Sequence, residues 1–212
     1  MFQFPKVYPI LDAAVIPNQG REEFLNRLAH SLAEAGVTLF EYRNKTGSDA
    51  QILADAAILR AAMPGPSIKL ILDDHVNWVE PARFDGVHVD VGDMTPSEAR
   101  QQLGIDRIVG TFGGSEDLVP DVLAQPVDYF SIGPVYPTTT KQTSKAPIGA
   151  AGVRRLRDQA GPDAVLVAVG GITLKTAPQI FAAGATIVAV AAAIFRSADP
   201  AGEFRRWKAE LG

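Results

Sequence analysis

Val7-Tyr8-Pro9-Ile10-Leu11 runs directly into Asp12-Ala13-Ala14, and no glycine-rich turn follows this first apolar run. An open, doubly wound α/β sheet would more often carry such a turn at this place. The rest of the chain repeats one alternation. Strands are expected at Val7–Leu11, Val37–Tyr42, Ile68–Leu72, Gly86–Val89, Arg107–Thr111, Asp128–Ile132, Ala164–Val169 and Thr186–Val190. Helices are expected between them, at Arg21–Ala35, Asp49–Met63, Val76–Ala82, Pro96–Leu103, Ser115–Ala124, Gly149–Gln159, Leu174–Ala183 and Pro200–Leu211. Near-continuously apolar strands separated by helices imply a parallel sheet covered by helices. Eight such units in 212 residues fit the lower end of the size range of a closed barrel. The expected fold class is therefore α/β, a single (β/α)8 TIM barrel, with residues 1–212 forming one domain.

Boundary signals agree with this division. Thr95, Pro96 and Glu98 supply an N-cap, a proline in the first turn and a capping-box acid. Ser115 with Glu116 and Asp117 marks another helix start, and Gly36 and Gly184 follow helical stretches as C-terminal caps would. The one long connection is Pro134–Pro147, and a loop of that length in a small domain is often functional.

Composition narrows the function. Of the residues 47% are hydrophobic and 21% charged, as in a soluble domain with a sizeable core. A net charge of -4 gives no basic footprint, so no nucleic acid is expected as a partner. The absence of cysteine excludes disulfides, thiolate catalysis and zinc–thiolate sites. The longest apolar run, Ala185–Phe195, falls short of the ~20 residues that span a bilayer and reads as a buried strand followed by a turn. With no signal-like segment at Met1–Ile10, a cytoplasmic protein without membrane association is expected, and a homo-oligomer is compatible with the sequence.

Active sites of such barrels lie at the C-terminal ends of the strands. The second strand ends Glu41-Tyr42-Arg43-Asn44-Lys45. Its period of two places Glu41, Arg43 and Lys45 on one face, with Phe40 and Tyr42 on the other. Arg43 and Lys45 on the inner face suit a phosphate or diphosphate; a bland alternative is a solvated strand end with Glu41 paired to Arg43. The third strand ends at Asp73-Asp74, and Gly92-Asp93 follows the fourth. Carboxylates on adjacent strand ends can share a cation, and hard oxygen ligands beside a phosphate describe a Mg²⁺ site. Either carboxylate alone could instead cap a turn. After the sixth strand, Thr138, Thr140 and Lys141 offer donors to phosphate oxygens. Val169-Gly170-Gly171-Ile172 lets backbone approach an anion closely. His30 reads as structural and His88 as a core histidine with a satisfied hydrogen bond, which leaves His75 as the histidine to watch.

Taken together, these segments resemble the thiamine-phosphate synthases. The resemblance rests on Arg43-Asn44-Lys45, Asp74, His88 followed by Asp93, the run Gly133-Pro134-Val135-Tyr136-Pro137-Thr138-Thr139-Thr140-Lys141, and Val169-Gly170-Gly171-Ile172. It implies a Mg²⁺-dependent transferase that joins a pyrimidine methyl diphosphate to a thiazole phosphate and releases diphosphate. It further implies that Arg43, Lys45 and Lys141 act on the diphosphate and that Asp74 and Asp93 hold Mg²⁺. Thr138, Thr140 and Gly171 are implied to hold the thiazole phosphate. The chain departs from the family's usual residues at several places. Glu41 stands for a Gln, Asp73 for an Asn that contacts the pyrimidine, Val91 for a Gln and Phe112 for a Ser. Ala191 and Ala192 occupy a phosphate contact where Ser is common, so only backbone N–H groups serve there. A related thiazole tautomerase, or a non-catalytic binder of thiazole or thiamine phosphate, are the alternative readings.

Overall fold

Each strand of the chain has two faces, and in a closed ring one face must fill the interior while the other meets the helices. The computed structural model describes residues 2–90, 94–115, 118, 120–138 and 144–212. Among these, β1 (Val7–Asp12), β2 (Leu39–Arg43), β3 (Lys69–Asp73), β4 (Gly86–Val89), β5 (Ile108–Gly114), β6 (Tyr129–Ile132), β7 (Leu166–Val169) and β8 (Ile187–Val190) pair in chain order, all parallel. Strand β8 returns to β1, with Val7 beside Val188, and closes the ring. The expected (β/α)8 barrel is the observed fold.

The outer layer consists of α1 (Arg21–Glu34), α2 (Asp49–Ala62), α3 (Pro96–Leu103), α4 (Pro120–Leu123), α5 (Gly149–Ala160), α6 (Ala177–Ala182), α7 (Ala192–Phe195) and α8 (Pro200–Leu211). Thr95 and Glu98 form the reciprocal capping box that the sequence announces. Gly36 and Gly184 follow α1 and α6 with φ of 80° and 107°, a backbone conformation that favours glycine.

Three helical expectations need correction. Val76–Ala82 forms only a 3-10 turn, Val76–Trp78. Pro81 sits inside that stretch and cannot continue an α-helix. The helix expected at Ser115–Ala124 is reduced to α4, with residues 116, 117 and 119 outside the described set. The segment Leu174–Ala183 becomes helical only at Ala177, because Thr173 and Thr176 tie a turn ahead of it (Thr173 N–H to Thr176 Oγ1, 3.0 Å) and Pro178 marks the first helical turn. The turn expected after the strand in Ala185–Phe195 is the short helix α7.

Two apolar layers result. Between ring and helices lie Leu11, Phe40, Tyr42, Leu70, Val87 and their helical partners. Inside the ring, Tyr8, Leu39, Ile71, Ile108, Tyr129, Val167 and Ile187 fill the lower half. Gly110 is required there: a Cβ at that position would lie 2.0 Å from the Tyr129 ring. The alternation that puts Phe40 and Tyr42 outward puts Glu41 and Arg43 inward, as read from the sequence.

One buried contact fixes the end of β2. The Asp55 carboxylate on α2 accepts from Arg21 Nε (2.8 Å), from Gln51 Nε2 (2.8 Å) and from the Tyr42 hydroxyl. Asn44 Nδ2 donates to the same tyrosine oxygen (2.9 Å), and Asn44 Oδ1 accepts from Gly47 N–H (2.8 Å). Residues 43–45 are thereby held in one geometry. Removing one partner of a buried, hydrogen-bonded ion pair typically costs about 3–5 kcal/mol. Asp55→Ala is expected to lose about that much stability by urea denaturation; a loss within experimental error would contradict the role given to Asp55.

Candidate active site

At the C-terminal ends of the strands the ring opens into a cavity of about 890 Å³. Its walls combine the inward residues of the upper strand layer with the loops after β6, β7 and β8.

The side formed by β1–β3 is crowded with charge. Arg43 pairs with Asp12 at the end of β1, and its Nε lies 3.5 Å from Asp73 Oδ2. Lys45 Nζ lies 3.0 Å from the same oxygen and also pairs with Asp74. The Asp74 backbone takes a φ of 68°, turned at the end of β3 by its N–H donating to the His88 carbonyl (2.8 Å). Its Oδ1 is buried without a hydrogen-bond partner among the described residues. A buried acceptor of that kind is costly unless something cationic meets it. The expected metal ligand Asp74 thus fits a hard cation. Asp93, its expected partner, lies outside the described residues, among which no cluster of three His, Asp or Glu forms.

Below this rim runs a chain of polar side chains. The Tyr8 hydroxyl donates to Glu41 Oε2 (2.8 Å) and lies 3.3 Å from the Tyr129 hydroxyl. Tyr129 meets His88 Nδ1 at 3.1 Å, stacks on its ring, and Ser131 Oγ lies 3.5 Å from His88 Nε2. Burial pushes the Glu41 carboxyl up to about 8, and the charge of Asp73 adds to this, while Tyr8, Arg43 and Lys45 pull the other way. Burial likewise raises both tyrosines, helped by the charge of Glu41.

The opposite side is made of backbone. Gly170 and Gly171 have φ of 98° and 64°, and the loop after β6 follows them, Tyr136 N–H donating to the Gly170 carbonyl (3.0 Å). A Cβ on Gly171 would lie 2.4 Å from the Pro137 carbonyl oxygen, so the loop carrying Thr138 needs glycine there. Helix α7 starts at Ala192, whose first N–H groups have no intrahelical acceptor, and Ala191 and Ala192 line the cavity. Lys145 Nζ lies 4.1 Å from the Phe112 ring centroid, and both line the same space.

Of the expected residues, Glu41, Arg43, Asp73, Thr138, Gly171, Ala191 and Ala192 therefore meet around one cavity. Lys45 and Asp74 join them through the ion pairs with Asp73 and with each other. Thr140, Lys141 and Val91 lie outside the described residues with Asp93. The histidine expectations shift. His75 contacts the Asn44 carbonyl (3.4 Å) rather than lining the cavity, and His30 is exposed and bonded within its own helix. His88 is buried and hydrogen-bonded as expected, yet it also faces the cavity. Asp12, Tyr8 and Tyr129 are additional site residues. The alternation Tyr8-Ile10-Asp12 puts two of them on the inner face of β1, a signal that is decisive only once the ring is known to close.

A closed parallel ring whose charged strand ends face a glycine-lined backbone wall across one cavity makes the molecule a (β/α)8 barrel with its cavity where the active sites of this fold lie. The comparisons make the assignment specific. The family model described as "Thiamine monophosphate synthase" matches residues 7–194, and the chain belongs to that family. It is 35% identical over 190 residues to a thiamine-phosphate synthase of Koribacter versatilis, covering 90% of this chain and 89% of that protein. It is 35% identical over 178 residues to one of Agrobacterium fabrum, covering 82% and 81%. Among solved structures, thiamine phosphate pyrophosphorylase from Pyrococcus furiosus superposes with a TM-score of 0.81 at 21% identity, over 97% of this chain and 95% of that one. A 3-hexulose-6-phosphate synthase superposes with a TM-score of 0.65 at 19% identity, over 98% and 100%, which shows the shared fold.

Glu41 yields a test independent of catalysis. Its carboxyl ionises near 8 when folded and near the ordinary carboxylate value when unfolded, so the folded state binds the extra proton. The associated stability is complete below the ordinary value and is lost as pH rises to about 8. Between pH 5.5 and 9 the wild type is expected to lose roughly 2–4 kcal/mol relative to Glu41→Gln in urea melts. Parallel pH profiles for the two proteins would contradict this protonation state.

Proposed function

We propose that the protein is a thiamine-phosphate synthase, joining 4-amino-2-methyl-5-(diphosphooxymethyl)pyrimidine to thiazole phosphate with release of diphosphate. The supporting observation is the two-sided cavity: Arg43, Asp73 and Glu41 face Thr138, Gly171, Ala191 and Ala192 across one space. Family membership and the 35% identical synthases supply the chemistry.

The reaction places opposite demands on the two sides. As the pyrimidine's C–O bond breaks, negative charge grows on the departing diphosphate, and fixed cations stabilise it most where water is excluded. Arg43 and Lys45 meet that need, with Lys141 as a third donor from the loop. Their present carboxylate partners hold both side chains in place before substrate arrives. The electron-rich aminopyrimidine carries the developing methylene cation, and the thiazole nitrogen then captures it. Backbone at Gly171, Ala191 and Ala192, with the Thr138 and Thr140 hydroxyls, grips the thiazole phosphate and sets the angle of attack. No protein nucleophile is needed. Asp74 and Asp93 would hold Mg²⁺, which when bound supplies further positive charge at the diphosphate end.

The partners in this reading are small phosphorylated molecules, and the setting is the cytoplasm. No helix among the described residues is long and apolar enough to cross a membrane. All 212 residues serve as one catalytic domain.

Phosphorus NMR of the purified protein with both substrates should show thiamine phosphate and diphosphate appearing together, and no turnover under any metal condition would refute the assignment. Arg43→Ala is expected to lower kcat/KM about 10²–10³-fold, the size of losing one donor to a developing oxyanion. Chelation with EDTA should abolish turnover and added Mg²⁺ restore it; full activity in EDTA would remove the metal role.

A further inference from the structure

A phenyl ring can neither donate to a phosphate nor hold a metal, so Phe112 has no part in the chemistry of the diphosphate. It nevertheless lines the cavity, half-buried, on β5. It pairs with Ser131 of β6 just before the register of the two strands shifts, between Phe112 and Gly114. Such an irregularity beside a site re-aims the side chain next to it. β5 lies opposite β1 in the closed ring, so Phe112 stands across the mouth from Asp12 and its partner Arg43. The face of the ring is in use. Lys145 Nζ, from the connection between β6 and α5, lies 4.1 Å from the ring centroid. A cation within about 6 Å of a centroid is attracted by the ring's quadrupole. That connection is tied at its base, Ile148 N–H donating to the Pro134 carbonyl and Gly149 N–H to that of Val135 (both 2.9 Å), while Lys145 itself is exposed.

We propose that the Phe112 ring is a catalytic cation-binding face. It stabilises the positive charge that develops on the methylene carbon of the pyrimidine and comes to rest on the thiazolium ring of the product. The C–O bond breaks with its electron pair leaving on the diphosphate oxygen, and the C–N bond forms from the lone pair of the thiazole nitrogen. No proton moves. The charge therefore passes from carbon to ring nitrogen, and no general base can neutralise it on the way. A carboxylate at this place would attract that charge but repel the diphosphate. A π face attracts the cation and carries no net charge.

Lys145 marks the face as one where positive charge is favourable, and it gives way when the heterocycles enter. Desolvation decides between the two cations. A cation–π contact is weakest at an exposed site, where water also solvates the ammonium, and Lys145 is exposed. A charge on carbon or in a thiazolium ring has no N–H to offer water, and it forms where the heterocycles have displaced water, which is where such a contact is strongest. The thiazolium is also flat, so it can stack on the ring face to face.

The inference rests on the synthase reading, and its first test is binding. The probes are thiamine phosphate, whose thiazolium carries a fixed positive charge, and 3-deazathiamine phosphate, in which carbon replaces that nitrogen and the ring is a neutral thiophene. Calorimetric Kd values for both are measured on the full chain as wild type, as Phe112→Leu, as Lys145→Met, and with 3,5-difluorophenylalanine at position 112, which keeps the ring's shape and depletes its face. The preference for the charged ligand over the neutral one is expected to fall about 5–30-fold in Phe112→Leu, the range of one cation–π contact. The fluorinated protein should lose part of that preference, and it carries the test alone if Phe112→Leu does not fold. Lys145→Met should keep the preference, because the ring makes it. In turnover, kcat of Phe112→Leu should fall by a similar factor, since the charge on carbon exists only on the way to product. A preference indifferent to the ring, an equal loss of both ligands in Phe112→Leu, a preference lost in Lys145→Met, an undiminished kcat, or no binding of millimolar thiamine phosphate would each overturn the inference. Turnover of the wild type keeps the two claims apart. A ring-dependent preference with no thiamine phosphate formed would sink the synthase reading and leave Phe112 a cation-binding face; turnover with a preference indifferent to the ring would do the reverse.

Discussion

The carboxylates Asp12, Glu41, Asp73 and Asp74 and the cations Arg43 and Lys45 share one side of the barrel mouth, and the balance among them governs what can bind there. Ionised together, the four acids would outnumber the two bases at the place proposed for the diphosphate. The structure limits the excess in two ways. Burial keeps Glu41 neutral up to about pH 8, and ion pairs hold Arg43 and Lys45 among the remaining three. An anionic substrate must compete with those carboxylates for the same two cations. A divalent ion on the carboxylates would relieve the competition, which is why Asp74 Oδ1, buried without a hydrogen-bond partner among the described residues, matters to the proposed function.

The rest of the fold serves this arrangement. Asp55 sits one layer outside the ring, but through Tyr42 and Asn44 it sets where residues 43–45 emerge from β2. Gly110 leaves room for the Tyr129 ring inside the barrel, and Tyr129 in turn meets Tyr8 and His88. Across the cavity, Gly171 lets the loop after β6 approach closely enough to bring Thr138 to the mouth. That wall of the cavity is mostly backbone, so the proposed phosphate contact there needs no hydroxyl from Ala191 or Ala192.

Much of this was readable before any coordinates. The alternation Phe40-Glu41-Tyr42-Arg43 assigns two faces to β2 by itself, and a closed ring converts those faces into helix side and cavity side. The long run after β6 and the paired glycines after β7 marked the opposite wall in the same way. Other features escaped for identifiable reasons. Tyr8 and Tyr129 are 121 positions apart, and a lone tyrosine in an apolar strand looks like ordinary core until the ring closes. Asp12 appeared to start a loop, whereas it extends β1 by one residue and reaches Arg43. Pro81 cut short the helix expected at Val76–Ala82, and His88, read as a core histidine, combines that contact with a cavity-facing position.

The central claim is that the site's own carboxylates occupy its cations, so that an anion enters readily only with a divalent ion. The most direct measurement is calorimetric affinity for inorganic diphosphate, at pH 7.2, in EDTA and in saturating Mg²⁺. The account predicts binding at least about tenfold tighter with Mg²⁺, a difference of about 1.4 kcal/mol. Equal affinity in the two conditions would show that Arg43 and Lys45 are available as they stand, and would contradict it.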